Sequence, residues 1–126
     1  MLLGSFLVHA GEDRVRDGML RVCRRQVEDD GIVLIQREGV AHRSGLPWER
    51  VDASGCRIRI VSAEPVGDGV RSVRAEYDFG DARWTQTFRS RELSEERLAG
   101  HLAAAGLAVD RTLTDDGTWL LARPAP

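Results

Sequence analysis

Residues 2–36 read LLGSFLVHAGEDRVRDGMLRVCRRQVEDDGIVLIQ, and the fold turns on how this stretch is divided. Its two ends, Leu2–His9 and Ile32–Ile35, are almost continuously apolar. Short unbroken apolar runs suit parallel strands covered on both faces, whereas half-exposed strands alternate. Between them Val15, Met19, Cys23 and Val27 recur every four residues with Leu20 beside them, which marks one buried stripe of a helix. Arg14, Arg21, Arg24 and Arg25 fall largely on its wet side. Gly11, Glu12 and Asp13 put a turn and acidic groups where the helix begins, and Asp29-Asp30-Gly31 stops it. The spacing predicts a βαβ unit over residues 1–38, whose crossover is almost always right-handed.

Downstream the pattern changes. Gly39 to Gly55 reads as a loop holding His42, Pro47 and Trp48. Ile58 and Ile60 then alternate with Arg57 and Arg59, and Val73, Ala75, Tyr77 and Phe79 alternate with Arg74, Glu76 and Asp78. Trp84 and Phe88 alternate with Arg83, Thr85, Thr87 and Arg89. Period-two alternation joined by Gly67-Asp68-Gly69 and Gly80-Asp81 predicts an antiparallel meander over 56–92 with one dry face. Trp84 and Trp119 fall on the apolar side of their strands and are expected in the core. Ser94 is an N-cap followed by Glu95 and Glu96, and Leu98, Leu102 and Ala105 form an apolar stripe. Gly106-Leu107 reads as a Schellman stop. A hairpin turning at Asp115-Asp116-Gly117 completes the unit over 94–123.

The composition bounds the function. With 126 residues, 42% hydrophobic and 30% charged, the chain is the size and type of one soluble domain. A net charge of -2 gives no basic face for nucleic acid, and no apolar run is long enough for a membrane span. The N-terminal run lacks the positive region of a signal peptide, so a cytoplasmic location is the default. All 18 basic residues are Arg, which fits codon bias in a GC-rich genome and excludes lysine chemistry such as a Schiff base. Cys23, Cys56, His9, His42 and His101 show no metal-ligand spacing. Cys23, on the apolar helix face, reads as a buried free thiol.

The element order, βαβ then meander, helix and terminal antiparallel hairpin, resembles the C-terminal half of a class I S-adenosylmethionine-dependent methyltransferase. LLGSFLVHAGED resembles the family's fourth strand and the loop after it. RDGMLRVCRRQVEDDGIVLIQRE is similar to the next helix and fifth strand, with their R..LL..c.r.l.pgG.vl pattern. SEERLAGHLAAAGLAVDRTLTDDGTWLLAR resembles the last helix and reversed final strands. The resemblance implies an α/β fold: a partial Rossmann-like methyltransferase sheet carrying an antiparallel insert, as one domain over 1–126. It implies three earlier strands before Met1, with the Gly-rich loop that cradles the cofactor and the acidic residue that holds its ribose. Gly67-Asp68-Gly69, in a hairpin turn, does not replace that loop.

The same resemblance implies site residues. Ser5, Phe6 and Leu7 would lie under the methionine–sulfonium region of S-adenosylmethionine, with core packing as the alternative for Phe6 and Leu7. His9 would touch the acceptor or take its proton, because imidazole titrates near neutrality; a plain strand-end histidine is the competing reading. Arg37 and Glu38 would line the acceptor pocket or form a surface ion pair, and His42 and Trp48 would sit in its lid. The implied function is methyl transfer to a small-molecule acceptor, with this chain as the acceptor-side half. The alternative is a non-catalytic α/β module that self-associates or pairs with another chain. A third class, a small ligand-binding β-rich domain, would place its site on the meander. The edge at residues 2–9 would be open, so a homodimer or a partner chain is expected to cover it.

Overall fold

The computed structural model describes residues 1–38 and 46–126. They form two compact units, Met1–Gly39 with Glu92–Pro126, and Val40–Arg91. The first holds β1 (Leu2–Leu3), α1 (Ser5–Val8), α2 (Asp13–Gln26) and β2 (Val33–Gln36). The second holds β3 (Trp48–Val51), β4 (Arg57–Gly67), β5 (Val70–Asp78) and β6 (Arg83–Arg91). The chain then returns to the first unit as α3 (Glu95–Ala104), β7 (Leu107–Thr112) and β8 (Trp119–Pro124). Among the described residues no helix is long and apolar enough to cross a membrane.

In the first unit the strand order is β1-β2-β8-β7. β1 runs parallel to β2, with Leu2 opposite Leu34, while β8 is antiparallel to both β2 and β7. This is the predicted βαβ unit followed by a reversed hairpin. Leu3, Val33, Ile35, Leu120 and Ala122 from the sheet pack with Leu20 and Cys23 of α2 and Leu98 and Leu102 of α3 in one core. Gly31 ends the α2–β2 turn because a Cβ there would lie 2.9 Å from the Val27 Cβ. Gly106 ends α3 with φ +81°, a conformation that costs most side chains energy. Ser94 caps α3 as expected, accepting the Arg97 N–H at 3.1 Å.

Three expectations need correction here. The apolar run Leu2–His9 is not one strand: β1 ends at Leu3, and Ser5–Val8 turn into a short helix with Gly4 as its N-cap. The Leu7 and Val8 N–H groups both reach the Gly4 carbonyl at 3.2 Å, so local bonds replace ladder pairing. The buried stripe of α2 keeps Leu20 and Cys23, with Met19 and Val27 packed against the same core, but takes in Arg16 rather than Val15. Arg16, Leu20 and Cys23 are buried while Val15 is exposed. The segment read as a loop over 39–55 contains β3, paired antiparallel to β4 with Trp48 opposite Ile60.

The second unit is the expected antiparallel meander, in the order β3-β4-β5-β6. Its dry face is dry only in part. Val73 and Ala75 are buried, but Phe79 and Trp84 are exposed, Trp84 by 52%, so the expected core position of Trp84 does not hold. Alternation fixes which face a side chain shares, whereas burial needs a covering layer. Near the β5–β6 turn the rings cover one another instead. Trp84 stacks on Phe79 and Tyr77 with centroids 5.2 and 6.2 Å apart.

Candidate functional site

In open α/β sheets ligands bind beyond the carboxyl ends of the parallel strands. Here those ends are Leu3 of β1 and Gln36 of β2, so the candidate site is built from α1, the segment before α2, and residues 36–38. Ser5 opens α1, half-buried, and its N–H points at the Gln36 side-chain oxygen at 3.5 Å. Gln36 therefore belongs to the site. The sequence reading missed it, although its place as the polar end of an apolar strand was visible. Phe6 is 56% exposed, whereas Leu7 packs against the core. The short helix thus separates three residues that one strand would have presented together.

His9 is buried, only 1% exposed, and its Nε2 accepts the backbone N–H of Glu38 at 3.0 Å. That bond ties the end of α1 to the end of β2 and occupies the nitrogen lone pair a general base would use. Arg37 is buried too. Its Nη2 donates to the Leu93 carbonyl at 2.6 Å, and Nη1 lies 3.8 Å from Glu95 Oε1. The guanidinium is therefore turned into the fold, towards the start of α3, and is not a surface ion pair. The Arg37 N–H donates to the Thr118 carbonyl at 2.7 Å, fixing the chain beside β8.

Arg16, unremarked in the sequence, is the largest fully buried side chain. Its Nη1 donates to the Ala10 carbonyl at 2.8 Å and its Nη2 to Asp13 Oδ1 at 2.6 Å. Behind the site, His101 Nδ1 lies 2.7 Å from Asp17 Oδ1 and links α3 to α2. No role was assigned to His101 from sequence, because its partner is 84 residues away. The Cys23 thiol is free and buried, and burial raises its pKa, which keeps it protonated and unreactive. Trp48 lies in the second unit, half-buried on β3, and His42 lies outside the described residues.

The second unit carries a surface groove of about 370 Å³ lined by Glu76, Tyr77, Asp78, Arg83, Trp84 and Thr85. Asp78 accepts the Gly80 N–H at 2.8 Å and pairs with Arg83 at 3.0 Å, and these contacts hold its carboxyl below the usual range. Both its acidic turn and its ion pair are thus engaged in closing the β5–β6 hairpin. Among the described residues no group of His, Cys, Asp and Glu is placed to hold a metal ion.

The sequence matches no protein-family model and no curated protein. Solved structures do match. A S-adenosylmethionine-dependent methyltransferase from Clostridium acetobutylicum is similar over 99% of this chain and 58% of its own, with TM-score 0.64 and 9% identity. A sugar N-methyltransferase from a Streptoalloteichus species is similar over 99% of this chain and 56% of its own, with TM-score 0.65 and 16% identity. An amino pentose methyltransferase from Micromonospora echinaspora, solved with S-adenosylmethionine bound, is similar over 91% of this chain and 52% of its own, with TM-score 0.55 and 13% identity. At such identities the likeness establishes the fold. The chain has the Rossmann-like α/β fold of S-adenosylmethionine-dependent methyltransferases in part, and spans about half the length of the chains it matches.

Proposed function

We propose that this chain is the acceptor-side half of a methyltransferase that uses S-adenosylmethionine to modify a small molecule. The supporting observation is the sheet β1-β2-β8-β7, a parallel pair followed by a reversed hairpin, within a fold matched over 99% of the chain to such enzymes. Two of the three relatives described above are named for sugar acceptors, which supports a small, polar acceptor for this chain as well.

When bound, S-adenosylmethionine supplies an electrophilic methyl group on a sulfonium sulfur. The described residues fit only one side of it. Ser5, Gln36 and the exposed ring of Phe6 stand at the carboxyl ends of β1 and β2, where a polar adenosyl or methionine group would meet them. Among the described residues the left-handed glycines lie in turns of the second unit, at the α3–β7 junction and in the β7–β8 turn, not between a parallel strand and a helix. In this reading the remaining cradle would be carried by polypeptide paired along β1. Leu2 on that edge is 59% exposed and Met1 and Phe6 are exposed beside it, the apolar surface that a further strand would cover.

The residues of this chain act mainly by position, holding acceptor and methyl in line. His9 keeps the Glu38 backbone against the end of α1, so the proton of the acceptor passes to another group or to water. Glu38 stands half-buried at the same strand end, two residues beyond β2.

Calorimetric titration of S-adenosylmethionine into the 126-residue chain, beside its size-exclusion profile, tests the reading. Saturable binding, by this chain or by its complex with a strand-bearing partner, supports it. A chain that self-associates or pairs with a partner yet binds no cofactor in either state favours the non-catalytic module.

A further inference from the structure

Two buried guanidinium groups share one arrangement. Arg16 donates to a backbone carbonyl just ahead of α2, that of Ala10, and to Asp13, the first residue of α2. Arg37 donates to a backbone carbonyl just ahead of α3, that of Leu93, and faces Glu95, the first residue of α3. In each case Nε is buried with no partner among the described residues. Each guanidinium thus straddles the entry to a helix, and each entry lies at the carboxyl side of the parallel pair.

Burying a guanidinium is costly, and an apolar side chain of similar volume often stabilises a fold as well or better. Position 16 continues the stripe of Leu20 and Cys23, where Met or Leu would satisfy packing alone. Stability therefore does not account for an arginine there. What arginine adds is a planar fork that fixes two acceptors at once. Arg16 holds the Ala10 carbonyl and the Asp13 carboxylate, and Arg37 holds the Leu93 carbonyl with the Glu95 carboxylate 3.8 Å away; these groups lie in segments 10–13 and 93–95, which rim the strand ends.

We infer that Arg16 and Arg37 are positioning residues for the ligand-binding end of the first unit's sheet. They hold the rim segments 10–13 and 93–95 in register without touching the ligand. The identity of that ligand rests on the function proposed above; the anchoring itself does not.

Amide hydrogen exchange on Arg16→Met and Arg37→Met, read beside thermal unfolding, tests the inference on the whole chain. Expected is an increase of about tenfold or more in exchange confined to 10–13 in the first variant and to 93–97 in the second. Unfolding temperature should hold or rise, and Leu20, Val33 and Ile35 should keep their protection. Where S-adenosylmethionine binds the parent chain, its dissociation constant should rise by about fivefold or more in both variants. Unchanged exchange at the rim overturns the inference. Faster exchange spread evenly through α2, β2 and β8 does so too, because the arginines would then be ordinary scaffold. Should Arg16→Met fail to fold, Arg16→Lys keeps the charge, loses the fork, and is held to the same local pattern. A parent chain that binds no S-adenosylmethionine counts against the proposed function, and the exchange pattern still decides the anchors.

Discussion

Replacing His9 with Phe separates a structural imidazole from a catalytic one. The ring is buried and its Nε2 is the acceptor for the Glu38 N–H at 3.0 Å. Phe keeps the aromatic volume and removes the acceptor, leaving a half-buried backbone donor unsatisfied. Such a loss costs about 1–3 kcal/mol. For a chain of 126 residues this corresponds to a fall in unfolding temperature of about 4–12 °C. His9→Gln, whose side-chain oxygen offers an acceptor, should recover part of that loss. Urea and thermal unfolding of the three proteins, followed by circular dichroism, provide the comparison. A His9→Phe protein within about 0.5 kcal/mol of the parent would refute the reasoning. It would return His9 to the role of a group kept for chemistry.

Other substitutions and conditions probe the rest of the fold. Leu102→Ala, in the core beneath α3, should cost about 2–5 kcal/mol in urea unfolding, while Trp84→Ala on the exposed face should cost no more than about 1.5 kcal/mol. Ser94→Ala removes the acceptor of the Arg97 N–H and should lower stability by about 0.5–2 kcal/mol. The carboxyls of Asp52, Asp78 and Asp116 are held below their ordinary range, chiefly by the Ser54 hydroxyl, the Gly80 N–H and the Thr118 hydroxyl respectively. A depressed folded pKa stabilises above the unfolded value, about 3.9, and that contribution is lost as pH falls through the lower folded values. Stability should thus drop on acidification below about pH 4, and Asp116→Asn should make the drop shallower in a pH series of thermal melts.

Most of the architecture was legible before any coordinates, because it depends on periodicity and on turn chemistry, both local. The apolar runs around a helix of period 3.6, the alternating meander, the Ser94 cap and the Gly106 stop each need only neighbouring residues to be recognised. The sequence by itself therefore determined the order and type of nearly every element, and through that order the resemblance to half a methyltransferase. The tertiary structure decided what those elements do to individual side chains. Gly4 broke the first apolar run, because once the chain turns there the next N–H groups bond locally, and Ser5, Phe6 and Leu7 were dealt to different surroundings. Arg16 displaced Val15 from the buried stripe because the Ala10 carbonyl and the Asp13 carboxylate accept its guanidinium. Arg37 and His9 became internal ties because their partners, Leu93 and Glu38, lie 56 and 29 residues away. A contact across such distances leaves no local signal, since what makes a charged or polar group buriable is the partner that folding brings to it.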